Sequence, residues 1–293
     1  MLQLLRVELF KIFCRPRTYI AFAVITVIII LIQVALKYGG REYVNLLMSS
    51  SLGETFEVPI SQILNGYYIC FLIFNLLLIH VPILVALVAG DMIAGEANMG
   101  TLRLLASKPI GRTQLLMVKF IATCVYTFLL LIWVVILALF VSVIMFGTDS
   151  LVVARELEFN IIAANDVLWR FAAAFCFAAV GLICVAALAF MFSTFADNSI
   201  GPIVATVCVI IVLTILTQLQ IPFYDDTIKP FLFTTHMLGW KGFFYVEGQN
   251  GETIKGSIDN ISAIWKSVAV LFGYIGLFLF ISIKHFKKKN ILS

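Results

Sequence analysis

Three histidines, six cysteines and a small set of polar side chains are the groups in this chain with chemistry to offer. His80 lies inside an apolar run, His236 in an aromatic-rich segment and His285 near the C-terminal end. Paired haem ligation needs histidines that face each other across neighbouring helices, and only one lies inside a run. The sequence contains no HExxH, which removes the usual zinc protease, and no GxSxG nucleophile turn. It has no Gly-Lys dipeptide, so it cannot form the loop that cradles ATP phosphates. Cys14, Cys70, Cys124, Cys176, Cys184 and Cys208 lie in or beside apolar runs without a CxxC or a Cys/His cluster. Neither a disulfide framework nor a metal is expected. No Asp, Glu, Lys or Arg sits deep in an apolar run, which counts against a proton- or sodium-coupled carrier. The chain reads as neither an enzyme nor a cofactor protein.

Two groups of polar residues remain. Gln33, Asn75, His80, Thr123, Tyr126, Thr206, Thr214 and Gln218 lie within apolar runs, where polar groups either bond a neighbouring helix or serve function. Asn75 and His80, five apart with Pro82 following, are candidates for lining a pathway together with Tyr126. The second group is "GEANMGTLRLLASKPIGRTQ", residues 95–114, a polar stretch between two very hydrophobic runs. Gly95 and Gly100 let the chain turn sharply. Thr101 can cap a short helix that begins Leu102-Arg103-Leu104-Leu105, and Pro109 stops it. Leu102, Leu104 and Leu105 make an apolar tip, while Arg103, Lys108 and Arg112 suit acidic groups or lipid phosphates. An ordinary basic loop accounts for the charges but not for the ordered Gly, Thr, Leu, Pro series.

The elements that must position these residues are membrane helices. Of 293 residues 62% are hydrophobic and only 12% charged, with 26 phenylalanines, which no soluble domain of this size would carry. A span needs about 20 mostly apolar residues. Six runs qualify, at roughly 18–36, 67–90, 115–146, 167–193, 200–219 and 264–283. Lipid leaves no partner for backbone polar groups, so each should be a helix, giving an all-α integral membrane protein of one domain, 1–293. The first run is too long for a signal core and lacks a small-residue cleavage site, so it should be retained. One set of flanks holds twelve of the 20 basic residues and four of the 16 acids (Glu8, Asp91, Glu96, Asp197). The positive-inside rule therefore puts both termini and residues 95–114 in the cytoplasm. The net charge of +4 follows from this topology and implies no nucleic-acid partner.

Between the spans, residues 2–13 place Leu2, Leu5, Leu9, Ile12 and Phe13 on one helical stripe, as for an amphipathic helix lying on the inner membrane surface. A short helix packed on the protein itself is the alternative. Residues 37–66, with Gly39-Gly40, and 147–166 read as polar outer segments. Residues 220–263 begin with an aromatic-rich half broken by Pro222, Pro230 and Gly239, too short to span. This half suits a re-entrant or interfacial hairpin with Trp240 and Tyr245 near headgroup level. Ala172, Ala179 and Ala186, with Ala178 and Gly181 beside them, form a close-packing face within one subunit or between two. The tripeptide at Asn260 matches a glycosylation acceptor, a pattern too short to carry weight.

The stretch "GDMIAGEANMGTLRLLASKPIGRTQLLMVKF" resembles the signature of ABC-2-type permeases, the membrane subunits of ABC exporters. Glu96, Gly100, Thr101, Leu102, Leu104, Leu105, Ser107, Pro109, Ile110 and Arg112 match that family's cytoplasmic segment in order. The six runs, the "VELFK" start and the hairpin before the last run extend the likeness over the chain, although only residues 91–119 are specific. The nearest likeness is to the permease of the nitrous-oxide-reductase maturation (copper-supply) transporter and its bacterial relatives. Nothing here marks a metal site, so copper is not carried over. The resemblance implies a multi-pass subunit of a bacterial cell (inner) membrane that is not itself an enzyme. It would pair with a second permease copy or a paralogue and couple to a separate ATPase subunit, which holds ATP and magnesium. Gly95, Glu96 and the Gly100–Arg112 series would make the ATPase contact, with membrane lipid and an extracytoplasmic accessory protein as further partners. A membrane scaffold or mechanotransmitter, anchoring an outer partner through the aromatic hairpin, is the alternative.

Overall fold

The computed structural model describes residues 2–52, 64–101, 111–155, 158–219, 228–244 and 261–289. The protein is an all-α integral membrane protein with six helices long and apolar enough to cross a bilayer. After α1 (Leu2–Cys14) the chain enters α2 (Pro16–Leu52). At about 1.5 Å per residue α2 reaches roughly 55 Å, well beyond a hydrocarbon core of about 30 Å. The outer segment expected from residue 37 therefore begins as helix, because α2 continues through Gly39 and Gly40.

The second span, α3 (Gly66–Ala89), starts where the Asn65 side chain accepts the Tyr68 amide at 2.9 Å. It contains Pro82 and passes through Gly90 into α4 (Asp91–Asn98). The third, α5 (Arg112–Phe146), is α-helical to Val135, widens to a π-helix over Ile136–Val141 and returns to α-helix at Ser142. A π turn displaces the helical carbonyl ladder, and a polar side chain from α2 fills the gap. The Gln33 Nε2 donates to the Leu137 carbonyl and to Ser142 Oγ, each at 2.9 Å, with Gln33 only 1% exposed.

A short antiparallel ribbon follows, β1 (Leu151–Arg155) with β2 (Glu158–Ile162), pairing Leu151 with Ile162 and Arg155 with Glu158. An isolated two-stranded hairpin is marginal in water. Here Leu151, Val153 and Ile162 are buried, so the helices hold one face of it. The fourth span, α6 (Ala164–Phe195), is the hub. It packs against spans two, three, five and six, and 67% of its most apolar stretch is buried, against 22% for the fifth span, α7 (Ile200–Gln218). Ala179 and Ala186 are buried inside this packing while Ala172 is exposed, so most of the small-residue face serves the chain's own core.

The aromatic segment before the last span is re-entrant and helical. A 3-10 turn (Lys229–Phe231) leads into α8 (Phe233–Met237) and a second 3-10 turn (Leu238–Phe243), after which α9 (Ile261–Lys288) closes the fold. Met237 comes against Gly181 and Gly239 against Phe177, near the midpoint of α6. Trp240 is therefore not at headgroup level. It is 5% exposed and packs edge-on to Phe74 and Phe244 and tilted against Phe71, at 6.2, 5.9 and 5.6 Å between ring centres. Each such aromatic pair contributes about 0.5–1.5 kcal/mol beyond burial, enough to outweigh an interfacial position. Tyr245 lies outside the described residues. Buried Arg170 of α6 fixes the hairpin, donating to Asp166 Oδ2 from Nε and Nη2 and to the Phe243 carbonyl from Nη1 at 2.7 Å.

Candidate functional site: the face that carries both termini

α1, the start of α2, α4, the start of α5 and the ends of α6 and α9 meet on one face. The apolar stripe expected on α1 divides, with Leu5, Leu9 and Ile12 packed on the protein itself and Leu2 81% exposed. Ile12 is 3% exposed, Leu5 and Leu9 pack on the core, and α1 lies chiefly against α5. The reason is a charged residue on the same inward side, Glu8, which needs partners that lipid cannot supply.

Those partners form a closed ring of two acids and two lysines. Glu8 Oε1 accepts from Lys11 Nζ at 2.8 Å and Glu8 Oε2 from Lys119 Nζ at 2.8 Å. Glu96 Oε1 accepts from Lys11 at 3.0 Å, and Glu96 Oε2 lies 2.7 Å from Lys119 Nζ. That last contact is charge against charge, since its angles do not suit a hydrogen bond. Glu8, Glu96 and Lys119 are 1%, 2% and 1% exposed, and only Lys11 reaches solvent. Burial pushes the Glu8 carboxyl up, but Lys119 and Lys11 beside it outweigh that and leave it below its ordinary value of 4.5. Burial likewise pulls the Lys11 ammonium down, and Glu8 with Glu96 outweighs it, leaving it above 10.5. The ring is charge-balanced, as a buried ionic group must be to offset desolvation.

A second set of charges ties the α1–α2 corner to α4. Arg15 Nη1 donates to Asp91 Oδ2, and Arg17 Nη1 to Asp91 Oδ1 at 2.7 Å. The first amides of α4 have no partner within their own helix. Ser193 Oγ of α6 accepts two of them, from Ile93 at 3.1 Å and Ala94 at 2.9 Å. Arg112, at the other root of the polar stretch, donates from Nη1 to the carbonyls of Lys287 and Lys289, each at 3.0 Å, where a cation suits the end of α9.

The residues singled out for ATPase contact thus divide. Gly95 sits inside α4, where a side chain would run into the Asp91 carboxylate. The Glu96 carboxylate is turned inward, onto Lys11 and Lys119. Gly100 has φ +72°, the left-handed turn that takes the chain off α4. Thr101 is exposed, and its hydroxyl donates back to the Glu96 carbonyl at 3.3 Å. Leu102, Arg103, Leu104, Leu105 and Pro109 lie outside the described residues. The pathway candidates are not brought together. Asn75 Nδ2 donates to the Phe71 carbonyl and His80 Nδ1 to the Leu76 carbonyl, each at 2.9 Å within its own helix. Tyr126 is fully buried, edge-on to Phe22 at 6.1 Å between ring centres, with no hydrogen-bond partner for its hydroxyl.

Glu8, Lys11 and Lys119 were not marked out by the sequence. Lys119 lies four residues inside the expected third span, and a lysine there with acids at two other helix ends is the signal that could have found the ring. The aromatic hairpin invoked for a scaffold buries Phe233, Trp240, Phe243 and Phe244 in the chain's own core. No group of three or more His, Cys, Asp or Glu side chains suited to a metal occurs among the described residues.

Residues 26–292 match the family described as "Protein of unknown function (DUF2705)", and the chain belongs to that family. It is also similar to the "Uncharacterized protein YhcI" of Bacillus subtilis (strain 168), 31% identical over 117 residues. That alignment covers 39% of this chain and 37% of the relative, little more than a third of the relative's length.

Proposed function

We propose that this chain is the permease subunit of an ATP-driven ABC transporter, an exporter, working with a separate ATPase subunit and a second permease copy or a paralogue. ATP and magnesium belong to the ATPase, and this chain contributes the membrane path and the lever. Both termini face the cytoplasm of a bacterial cell, where the ATPase sits. The observation that carries the reading is the ordered series Glu96, Gly100, Thr101, Leu102, Leu104, Leu105, Pro109 and Arg112, placed between the second and third spans.

The way the roots of this stretch are held supports the reading. A lever must pass force into the spans rather than bend at its base. Glu96 is locked to α5 through Lys119 and to α1 through Lys11, and Ser193 fixes α4 to the central helix. Removing one partner from a buried ion pair costs about 3–5 kcal/mol, so this base is stiff against the displacement an ATPase could impose. Closure of two ATPase subunits would push the stretch, and α3, α4 and α5 would move as one body with α1.

The reading is tested by purifying the full chain from its native membrane in mild detergent and identifying what comes with it. A stoichiometric polypeptide carrying a phosphate-binding loop, with ATP hydrolysis in the complex, is the expected result. Full transport by the chain purified alone, without any ATPase, overturns the reading.

A further inference from the structure

A cavity of about 80 Å³ lies at membrane depth between α3, α5, α6 and the re-entrant hairpin. Three features of the sequence make it. Pro82 interrupts the amide ladder of α3, so that helix need not close against its neighbour. Opposite it, α6 offers Ala174, Ala178 and Gly181, spaced four and three apart on one side and too small to fill the space. Met237 and Trp240 of the hairpin complete the lining.

Among the described residues the lining is predominantly apolar, with the indole of Trp240 carrying its one side-chain polar group. A water needs two to four polar partners and roughly 10–15 Å³, so this space holds several waters by size but offers them few partners. Leaving it empty costs the contacts its walls would otherwise make. The walls are helices surrounded by lipid, and the apolar species present there at molar abundance is the alkyl chain. One wall is thin. Phe175 lines the cavity and also meets the ring of Phe128 at 6.2 Å, and Phe128 is 47% exposed on the outside of α5. The cavity therefore borders the lipid-facing surface at this pair of rings.

We infer that this cavity is a binding site for the acyl chain of a bilayer lipid, admitted past Phe175 at the seam between α5 and α6. The site does not depend on the ATPase reading, and its test involves no nucleotide, so each can fail alone. The experiment uses Trp240 as its own reporter. Trp133→Phe, Trp169→Phe and Trp265→Phe together leave Trp240 as the single tryptophan of the full chain. This protein is reconstituted in phosphatidylcholine brominated in mid-chain and, separately, in the unbrominated lipid. Trp240 is 5% exposed, so lipid outside the protein does not touch it. An occupied cavity puts bromine in contact with the ring, and emission falls on the order of twofold at half-occupancy. Ala178→Phe, which plugs the cavity, should restore the emission, and Ala174→Leu serves as a second plug. Quenching that is absent, or equal with and without the plugs, overturns the site. Should both plugs disturb the fold, the parent protein is labelled with a photoactivatable alkyl-diazirine phosphatidylcholine and the adducts mapped. Label on the Ala174–Leu182 and Met237–Trp240 peptides supports the site. Label confined to exposed faces of α2, α7 and α9 overturns it.

Discussion

Replacing Lys119 with methionine probes the ring of charges most directly. The side chain keeps its length and apolar stem, while Glu8 and Glu96 lose the one cation that is 1% exposed. Truncating one partner of a buried ion pair costs about 3–5 kcal/mol. Lys119 holds two carboxylates, but Lys11 remains on both and one acid can take up a proton, so the lower end applies. A loss of about 3 kcal/mol in docking of α1 corresponds to roughly a hundredfold, at about 1.4 kcal/mol per tenfold. The assay is hydrogen exchange on the full chain in lipid nanodiscs, reading α1 amides against those of α9, which does not touch the ring. Exchange in α1 should accelerate about a hundredfold if it proceeds by undocking, with α9 unchanged. Adding Glu8→Gln and Glu96→Gln to the methionine variant should recover much of the loss, because the one charge left in the ring, on Lys11, reaches solvent. An α1 rate within about threefold of the parent, or no recovery in the triple variant, refutes the argument that the ring holds the helix.

The remaining predictions concern pH and two other buried polar groups. Glu8 lies below its ordinary 4.5 in the folded protein, so its contribution is present above pH 4.5 and lost as pH falls through the lowered value. Lys11 lies above 10.5, so its contribution holds below pH 10.5 and is lost at higher pH. Protection of α1 should therefore be flat across neutral pH and fail in acid. Loosening at about pH 6–7, the range of an ordinary histidine, would mean that another group controls it. Gln33→Leu strands the Leu137 carbonyl at the π turn and should cost about 1–2 kcal/mol, seen as a lower melting temperature in a fixed detergent; an unchanged melting point sinks the claim that Gln33 fills that gap. Arg170→Met removes the buried cation beside Asp166 and the donor to the Phe243 carbonyl, and should loosen the 228–244 hairpin by about 3 kcal/mol in hydrogen exchange. Arg170→Lys should restore little, since an ammonium cannot reproduce the fork, and full rescue by lysine would contradict the geometry.

The spans were legible because hydrocarbon permits so few backbone conformations. All six runs are helices, and a proline, a glycine pair or a polar side chain shifts their ends rather than their existence. That the aromatic segment does not span was legible from its prolines and its length. Its depth was not, because a tryptophan suits a headgroup belt and an aromatic core equally until Phe71 and Phe74 are known to face it. The ring of charges was hidden for a related reason. Glu8, Lys11, Glu96 and Lys119 each lie near a helix end, where basic flanks are expected anyway, and their pairing spans as many as 111 residues. Glu96 was picked out by its motif, yet its orientation inward depends on that long-range partner. Gly100 was read correctly as a turn from its residue type alone, since a positive φ is what glycine permits and other residues resist.

The central claim is that residues 96–112 join this chain to an ATPase, and the measurement that tests it is association of the purified partners with Leu104→Ala and Leu105→Ala combined. Each fully buried leucine contributes about 1.5–3 kcal/mol. Two lost anchors should weaken ATPase binding at least about tenfold even after heavy discounting, since tenfold is only about 1.4 kcal/mol. Both residues lie outside the six spans, so membrane insertion and the exchange pattern of α6 should match the parent. The account predicts a correctly inserted protein that no longer retains its ATPase or stimulates hydrolysis in lipid. Normal association with normal hydrolysis in the double variant would contradict it, and would reduce the stretch to a basic flank that sets topology.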